Sequence, residues 1–303
     1  YPHRWTPKKI MSDWRFQPHR SAPSHPPPES QAMNRHLFIR MIAGAFASAL
    51  ILLSVPATAQ ERIGVLMLHG KNPGNNQDIY FQPTRGVLEK EGMLVAFPDM
   101  PWSRNRYLDG HWDKAMAEIA AHVTTLRSQG AGKIVLIGHS LGVPAAMSFA
   151  ARGGDVQALV LLAPGHIPRG YYTIAGLKPV RDSIDEARAL VAAGKGDSSE
   201  RFNDINQGKQ QTVITTPRNF LSYFDPDSDA DMGVTAPRIP PTTPVLTVLG
   251  DEDFMFTRAK DYFAGKLPTN PKSQYLEVKA NHVTTPRVAN EAVARWIKAA
   301  LSP

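Results

Sequence analysis

The pentapeptide Gly138-His139-Ser140-Leu141-Gly142 stands between an apolar run, Ile134 to Ile137, and a helix-forming stretch, Val143 to Ala151. That order implies a strand, a sharp turn carrying one serine, and a helix. Such a turn lifts the hydroxyl above the end of a sheet, with helix N–H groups close behind it. Glycines two places either side of Ser140 let strand and helix approach without a Cβ clash. Pro144 falls in the first helical turn, where its missing N–H costs nothing.

A serine hydroxyl is a weak nucleophile until a base takes its proton, and the base needs a third group to hold its tautomer. Of the ten histidines, His3, His19, His25 and His36 lie in an N-terminal leader. His139 belongs to the turn and is expected to point away from the hydroxyl, while His69, His111 and His122 precede the serine. That leaves His166 and His282. His282 follows the strand-like run Tyr275 to Lys279 through Ala280-Asn281, ahead of an amphipathic helix from Thr285 to Leu301. Loops at the carboxyl ends of strands are where ligand chemistry sits in an open parallel sheet, so His282 is the expected base.

For the third group, Pro244 to Leu249 reads as a buried strand followed directly by Gly250-Asp251-Glu252-Asp253. Adjacent carboxylates disfavour one another's charge and cannot all be buried. Asp253 is the choice, with Asp251 in reserve. A developing oxyanion needs two N–H donors. Leu141 N–H, next to the serine, is one. Lys71 N–H, in the loop His69-Gly70-Lys71-Asn72-Pro73-Gly74 after the strand Gly64 to Leu68, is the other. The Lys71 side chain reads as solvated or, alternatively, as a contact for an acidic substrate group.

Together the His69-Gly70 loop, the Gly-x-Ser-x-Gly turn, the Gly250 to Asp253 segment and the late Asn281-His282 resemble the α/β-hydrolase-fold serine hydrolases. The resemblance runs from about Arg62 to the C-terminus. It implies an α/β fold, with a mostly parallel sheet of about six strands flanked by helices. Esterases, lipases, thioesterases, aminopeptidases and acyltransferases share these marks. Haloalkane dehalogenases and epoxide hydrolases carry aspartate where Ser140 stands, which makes their chemistries a poor match. Carboxyl-ester hydrolysis through an acyl-enzyme on Ser140 is the default reading. A serine aminopeptidase would need an acidic group for an α-amine, for which Glu200, Asp204, Asp225 and Asp227 are the candidates; a thioesterase is a further reading, and a non-catalytic binding module is the competing class.

Strands and helices alternate through residues 60–303, as expected for one domain with a parallel sheet wrapped by helices. Helical spacing of Met116, Ile119, Ala120, Val123 and Leu126 marks a core face. An insertion at about 164–243 holds a helix-like Ser183 to Ala193, a polar Gly194 to Glu200 segment and the aromatics Tyr171, Tyr172, Phe220, Tyr223 and Phe224. It reads as a cap over the site or as a peripheral decoration. His69, Trp102 and Tyr107 are candidate pocket-lining residues, the last two equally readable as covers for core edges.

The net charge of +7 misleads until divided: residues 1–59 contribute +5 of it, leaving +2 on the rest. The basic balance therefore belongs to the leader, and no nucleic-acid partner is expected. Residues 1–32 are rich in Pro, His and Arg and read as a disordered or spurious extension. From Met33 a basic stretch, an uncharged apolar run from Met41 to Val55, and Ala57-Thr58-Ala59 read as a secretory signal cleaved before Gln60. Export by a Sec-type route to the periplasm or the exterior follows, with no lasting membrane anchor. A chain without cysteine uses no disulfide. No dinucleotide, P-loop or metalloprotease motif stands in the sequence, so the expected chemistry uses no cofactor or metal. A monomer acting on a small acyl substrate is the expectation.

Overall fold

Val65 and Met67 pack into one layer of side chains and Leu66 and Leu68 into another, the mark of a strand covered on both faces. The computed structural model describes residues 61–302; the expected extension (1–32) and export signal (33–59) lie outside these residues. Its strands are β1 (Arg62–Leu68), β2 (Leu94–Ala96), β3 (Ala131–Ser140), β4 (Ala158–Pro164), β5 (Glu200–Asn206), β6 (Lys209–Thr215), β7 (Val245–Gly250) and β8 (Gln274–Val278). Six of them form one parallel sheet in the order β2-β1-β3-β4-β7-β8, and β5 and β6 pair as a separate antiparallel hairpin.

The helices that cover the sheet follow from their apolar spacing. On one face lie α1 (Gln82–Lys90) and the C-terminal helix, which buries Ala289, Val293, Trp296 and Ile297. On the other lie α2 (Trp112–Ser128) and α3 (Gly142–Ala151). In α2 the buried stripe is Met116, Ile119, Val123 and Leu126, and the His111 side chain caps the start by accepting from Asp113 N–H. α3 is buried on nearly every side, which its Ala-rich, uncharged sequence permits.

Between β4 and β7 the chain makes an excursion through α4 (Pro168–Thr173), α5 (Lys178–Ala192), the β5–β6 hairpin, α6 (Pro217–Phe224) and α7 (Met232–Thr235). Beyond β7 come α8 (Ala259–Tyr262) and finally α9 (Thr285–Leu301). α5 starts five residues before the sequence reading placed it, because Pro179 occupies its first turn, where proline is favourable. The hairpin was not expected. Its two-residue turn, Gln207-Gly208, has φ of 51° and 74°, the left-handed pair that matches strand twist.

Sheet order fixes where a ligand will fit. From β1 the chain steps first to β2 on one side and then to β3 on the other. The loops after β1 and β3 therefore part in opposite directions and leave a crevice at their carboxyl ends.

Candidate active site

Ser140 occupies that crevice with φ of 55°, a left-handed conformation rare for a residue with a Cβ. The strain follows from reversing a strand into α3 within one residue. A Cβ on Gly138 would stand 2.2 Å from Gly142 O, and one on Gly142 would stand 2.0 Å from Leu68 O. Any side chain at either position would push the serine out of place.

The loops after β7 and β8 bring Asp253 and His282 to the hydroxyl. His282 Nε2 lies 3.0 Å from Ser140 Oγ, and His282 Nδ1 lies 2.7 Å from Asp253 Oδ2. An ionised carboxylate only accepts, so Nδ1 carries the proton and Nε2 presents its lone pair to the serine O–H. The other Asp253 oxygen accepts from Met255 N–H at 2.7 Å, which pins the carboxylate. Asp251 is exposed and accepts instead from Ala280 N–H at 3.1 Å, bracing the loop that carries His282. Of the two candidate carboxylates, Asp253 is the one that reaches the imidazole.

His139 points away from the hydroxyl and donates from Nε2 to His282 O at 2.9 Å, tying the two loops together. Burial, reinforced by the neighbouring His282, pushes its pKa down to about 4 and keeps it neutral.

After β1, the loop from His69 to Gly74 is held from beneath. His69 Nε2 accepts from Met100 N–H at 2.9 Å, so Nδ1 carries the proton and donates to Gly70 O at 2.7 Å. Burial lowers the His69 pKa, consistent with that neutral tautomer. Trp102 Nε1 donates to His69 O at 2.8 Å, and Trp102 O accepts from Asn72 N–H at 2.9 Å. The backbone N–H groups of Lys71 and Leu141 have no acceptor among the described residues.

A cavity of about 480 Å³ opens over Ser140 and His282. The insertion supplies Ile167, Tyr171, Ile174, Leu177 and Ile205 as an apolar wall, while Phe254 and Val283 come from the sheet side. Three of the sequence assignments need correction. His69 and Trp102 are fully buried and do not line this cavity; both brace the loop after β1. Tyr107 does not line it either, because its hydroxyl is turned to Asp204.

The Lys71 side chain is neither solvated nor free for an acidic ligand. Its ammonium donates to Asp204 Oδ1, to Ile205 O at 2.9 Å and to Tyr171 Oη at 3.5 Å, with Asp204 itself fully buried. Burial is the largest single influence and would lower the Lys71 pKa, but the Asp204 carboxylate and Tyr171 together outweigh it and the pKa is raised. Tyr107 is pushed well up, by burial first and by the Asp204 charge second. His166 is buried beside this cluster, donates from Nε2 to Tyr223 O at 2.7 Å, and is driven down to about 3 by burial and the Lys71 charge.

Sequence reasoning missed Gly165 and the Lys71–Asp204 pair. Gly165 follows β4 directly, and a Cβ there would come within 2.7 Å of Ser140 Oγ and 3.1 Å of His282 Cε1. Its place at a strand's carboxyl end, beside the serine turn, was the available signal. Asp204 had none: it stands on the inward face of a hairpin that its own polar sequence conceals. Among the described residues no group of three His, Asp or Glu converges in a way that would hold a metal ion.

Comparison with known proteins agrees with this architecture. No curated protein matches the sequence. Among solved structures, Est1E from Butyrivibrio proteoclasticus with bound ferulic acid is 16% identical, with 82% of this chain and 93% of that one covered at a TM-score of 0.56. The monoacylglycerol lipase of Paleococcus ferrophilus is 18% identical over 78% of this chain and 94% of its own, also at 0.56. The metagenome-derived lipolytic enzymes LipS and LipT give 17% identity over 79% and 93%, at 0.54. Identities this low speak for the fold. The model of the alpha/beta hydrolase family matches residues 65–300, nearly the whole of the described sheet and its helices, and the chain therefore belongs to that family.

Proposed function

We propose that the chain is a serine hydrolase that cleaves carboxyl esters through an acyl-enzyme on Ser140. The observation that carries this reading is the continuous relay from Ser140 Oγ through His282 to Asp253, at 3.0 and 2.7 Å, on the floor of a largely apolar cavity.

In this mechanism Ser140 Oγ attacks the ester carbonyl carbon while its proton passes to His282 Nε2. The carbonyl oxygen becomes an oxyanion, stabilised by the unengaged N–H groups of Lys71 and Leu141. Asp253 holds the imidazole tautomer and stabilises the imidazolium. Collapse expels the alcohol, which takes the proton back from Nε2. Water then attacks the acyl-serine by the same route, releasing the acid and restoring the hydroxyl.

The insertion acts as a cap whose apolar wall shields the acyl or aryl group, at about 0.8 kcal/mol per buried methylene. An aminopeptidase reading draws less support. None of Glu200, Asp204, Asp225 and Asp227 lines the cavity; Asp204 is paired with Lys71 and Asp225 with Arg188. Esterases and lipases among the solved structures of this fold favour an ester over an amide.

The test is Ser140→Ala. Wild type is expected to hydrolyse p-nitrophenyl acetate and to be labelled by a fluorophosphonate probe, and the variant to do neither. Undiminished labelling of the variant refutes the assignment, and an unlabelled, inactive wild type favours a binding module. A screen of acyl esters against amino-acid anilides separates esterase from peptidase. Export belongs to the same proposal: protein secreted by its own host is expected to begin at Gln60, and an N-terminus at Tyr1 or Met33 contradicts it.

A further inference from the structure

Lys71 belongs to two regions at once. Its backbone lies in the loop after β1, next to Gly70, where an added Cβ would stand 3.1 Å from the Ser140 Cβ. Its side chain runs into the insertion. There the ammonium reaches Asp204 and Ile205 of the hairpin and the Tyr171 hydroxyl, and lies 5.3 and 5.4 Å from the ring centroids of Tyr171 and Phe224. Every one of these contacts comes from the segment between β4 and β7.

The next residue is held from the same side. Asn72 O accepts from Asn206 Nδ2 at 2.8 Å and from Gln211 Nε2 at 3.3 Å. Gln211 Nε2 also donates to Asp204 at 2.8 Å, and the Tyr107 hydroxyl donates to the same carboxylate. An ammonium has three protons, and these acceptors use all three. No proton of the Lys71 ammonium remains for a substrate acid. A fully buried ion pair is a poor source of net stability, because desolvation offsets the attraction, but separating its partners strands a charge. Loop and hairpin are therefore bound to move together.

We propose that the Lys71–Asp204 pair is a clamp by which the insertion positions the oxyanion loop, making Lys71 and Asp204 positioning residues for turnover of even the shortest ester. The inference rests on the serine-hydrolase reading and on Lys71 N–H as an oxyanion donor. It separates the insertion's work in two: the apolar wall selects the acyl chain, whereas the clamp sets the rate for every chain.

The test is the double variant Lys71→Met/Asp204→Asn, which removes both charges and leaves neither stranded. It is expected to fold, to be labelled to completion by a fluorophosphonate but more slowly, and to lose about tenfold to a hundredfold in kcat. That loss lies below the cost of deleting an oxyanion donor outright, about 10²–10³. KM is expected to hold, and the fractional loss to be the same for C2 and C8 esters. A folded double variant with wild-type kcat on p-nitrophenyl acetate overturns the clamp. Should the double variant fail to fold, Asp204→Glu carries the test: it keeps both charges but displaces the ammonium by one methylene. Lowered kcat at constant KM supports the clamp, and unchanged kcat overturns it. If wild type itself resists the probe, the serine-hydrolase reading fails instead.

Discussion

Ser140, Asp253 and His282 stand at or just beyond the carboxyl ends of β3, β7 and β8, strands whose neighbours are fixed by a continuous parallel ladder. Ile205 and Tyr171 line the same cavity from a two-stranded hairpin and a six-residue helix that no ladder joins to that sheet. The first set is held by backbone register and by close packing of glycines. The second is held by side chains: an ion pair, stacked aromatics such as Phe220 on Phe224 at 4.4 Å, and a few hydrogen bonds. On the proposed reading, the chemistry that tolerates little displacement sits on the part held by backbone register, and the contacts around the substrate sit on the part that sequence change remodels more easily.

Substitutions at the carboxyl ends of the strands are therefore expected to cost the most. Asp253→Asn removes the partner that fixes the His282 tautomer, and the corresponding change in a serine protease lowers kcat by about 10⁴. A comparable loss in steady-state kinetics is expected, against a change of a few-fold at most for Asp251→Asn. The reverse ranking would move the relay onto the other carboxylate. Gly165→Ala comes next. The added methyl meets Ser140 Oγ at 2.7 Å, and a displacement on the scale of 1 Å costs about 10²-fold. A loss of that order in kcat/KM with a nearly unchanged melting midpoint is expected; wild-type activity would show that the hydroxyl has room the geometry denies it.

At the insertion's apolar wall the effects become selective. Ile174→Ala trims the apolar wall at the cavity mouth, where Ile174 is 42% exposed. About a tenfold loss is expected for a C8 ester and almost none for acetate, in line with pocket discrimination of about 1–3 kcal/mol per methylene. Equal losses for both esters would mean that this wall supports the fold rather than the substrate.

The smallest effect is on stability. His166 is held neutral by burial, with its pKa down at about 3 against 6.5 when unfolded. The unfolded chain therefore binds the extra proton between those values, so this contribution is complete above about pH 6.5 and is lost as pH falls toward 3. The melting midpoint is expected to drop across this range, and His166→Gln to flatten the drop. An unchanged slope in that variant would assign the acid sensitivity to other buried groups, His139 foremost.

The contrast between the two regions also decides what could be read from the chain. The serine turn, its glycines, the strand-terminal Asp253 and the loop histidine are local patterns, in which neighbours in sequence impose the geometry. Apolar runs likewise marked β1, β3 and β7, because burial on both faces leaves few alternatives, and apolar spacing marked the two longest helices. The hairpin escaped notice since Glu200-Arg201-Phe202-Asn203-Asp204-Ile205-Asn206 buries a carboxylate on its inward face, where an apolar residue would normally signal a strand. That burial is possible only because Lys71, 133 positions away, neutralises it. His69 reads as pocket-lining, and Trp102 as either pocket-lining or core cover, for a related reason. Their polar ring atoms satisfy backbone groups of the loop after β1, a use that spacing does not reveal.

The most direct test of the central claim, that the carboxyl end of the sheet carries an acyl-transfer centre at Ser140, is to trap the intermediate. Wild-type protein turning over p-nitrophenyl butyrate is quenched in acid within milliseconds, digested, and the peptide spanning Ser140 examined by mass spectrometry. The expected result is a butyryl adduct on Ser140, formed at the rate of a p-nitrophenol burst and absent from Ser140→Ala. An adduct on another residue, or steady turnover with no adduct and no burst when deacylation is slowed at low temperature, would contradict it.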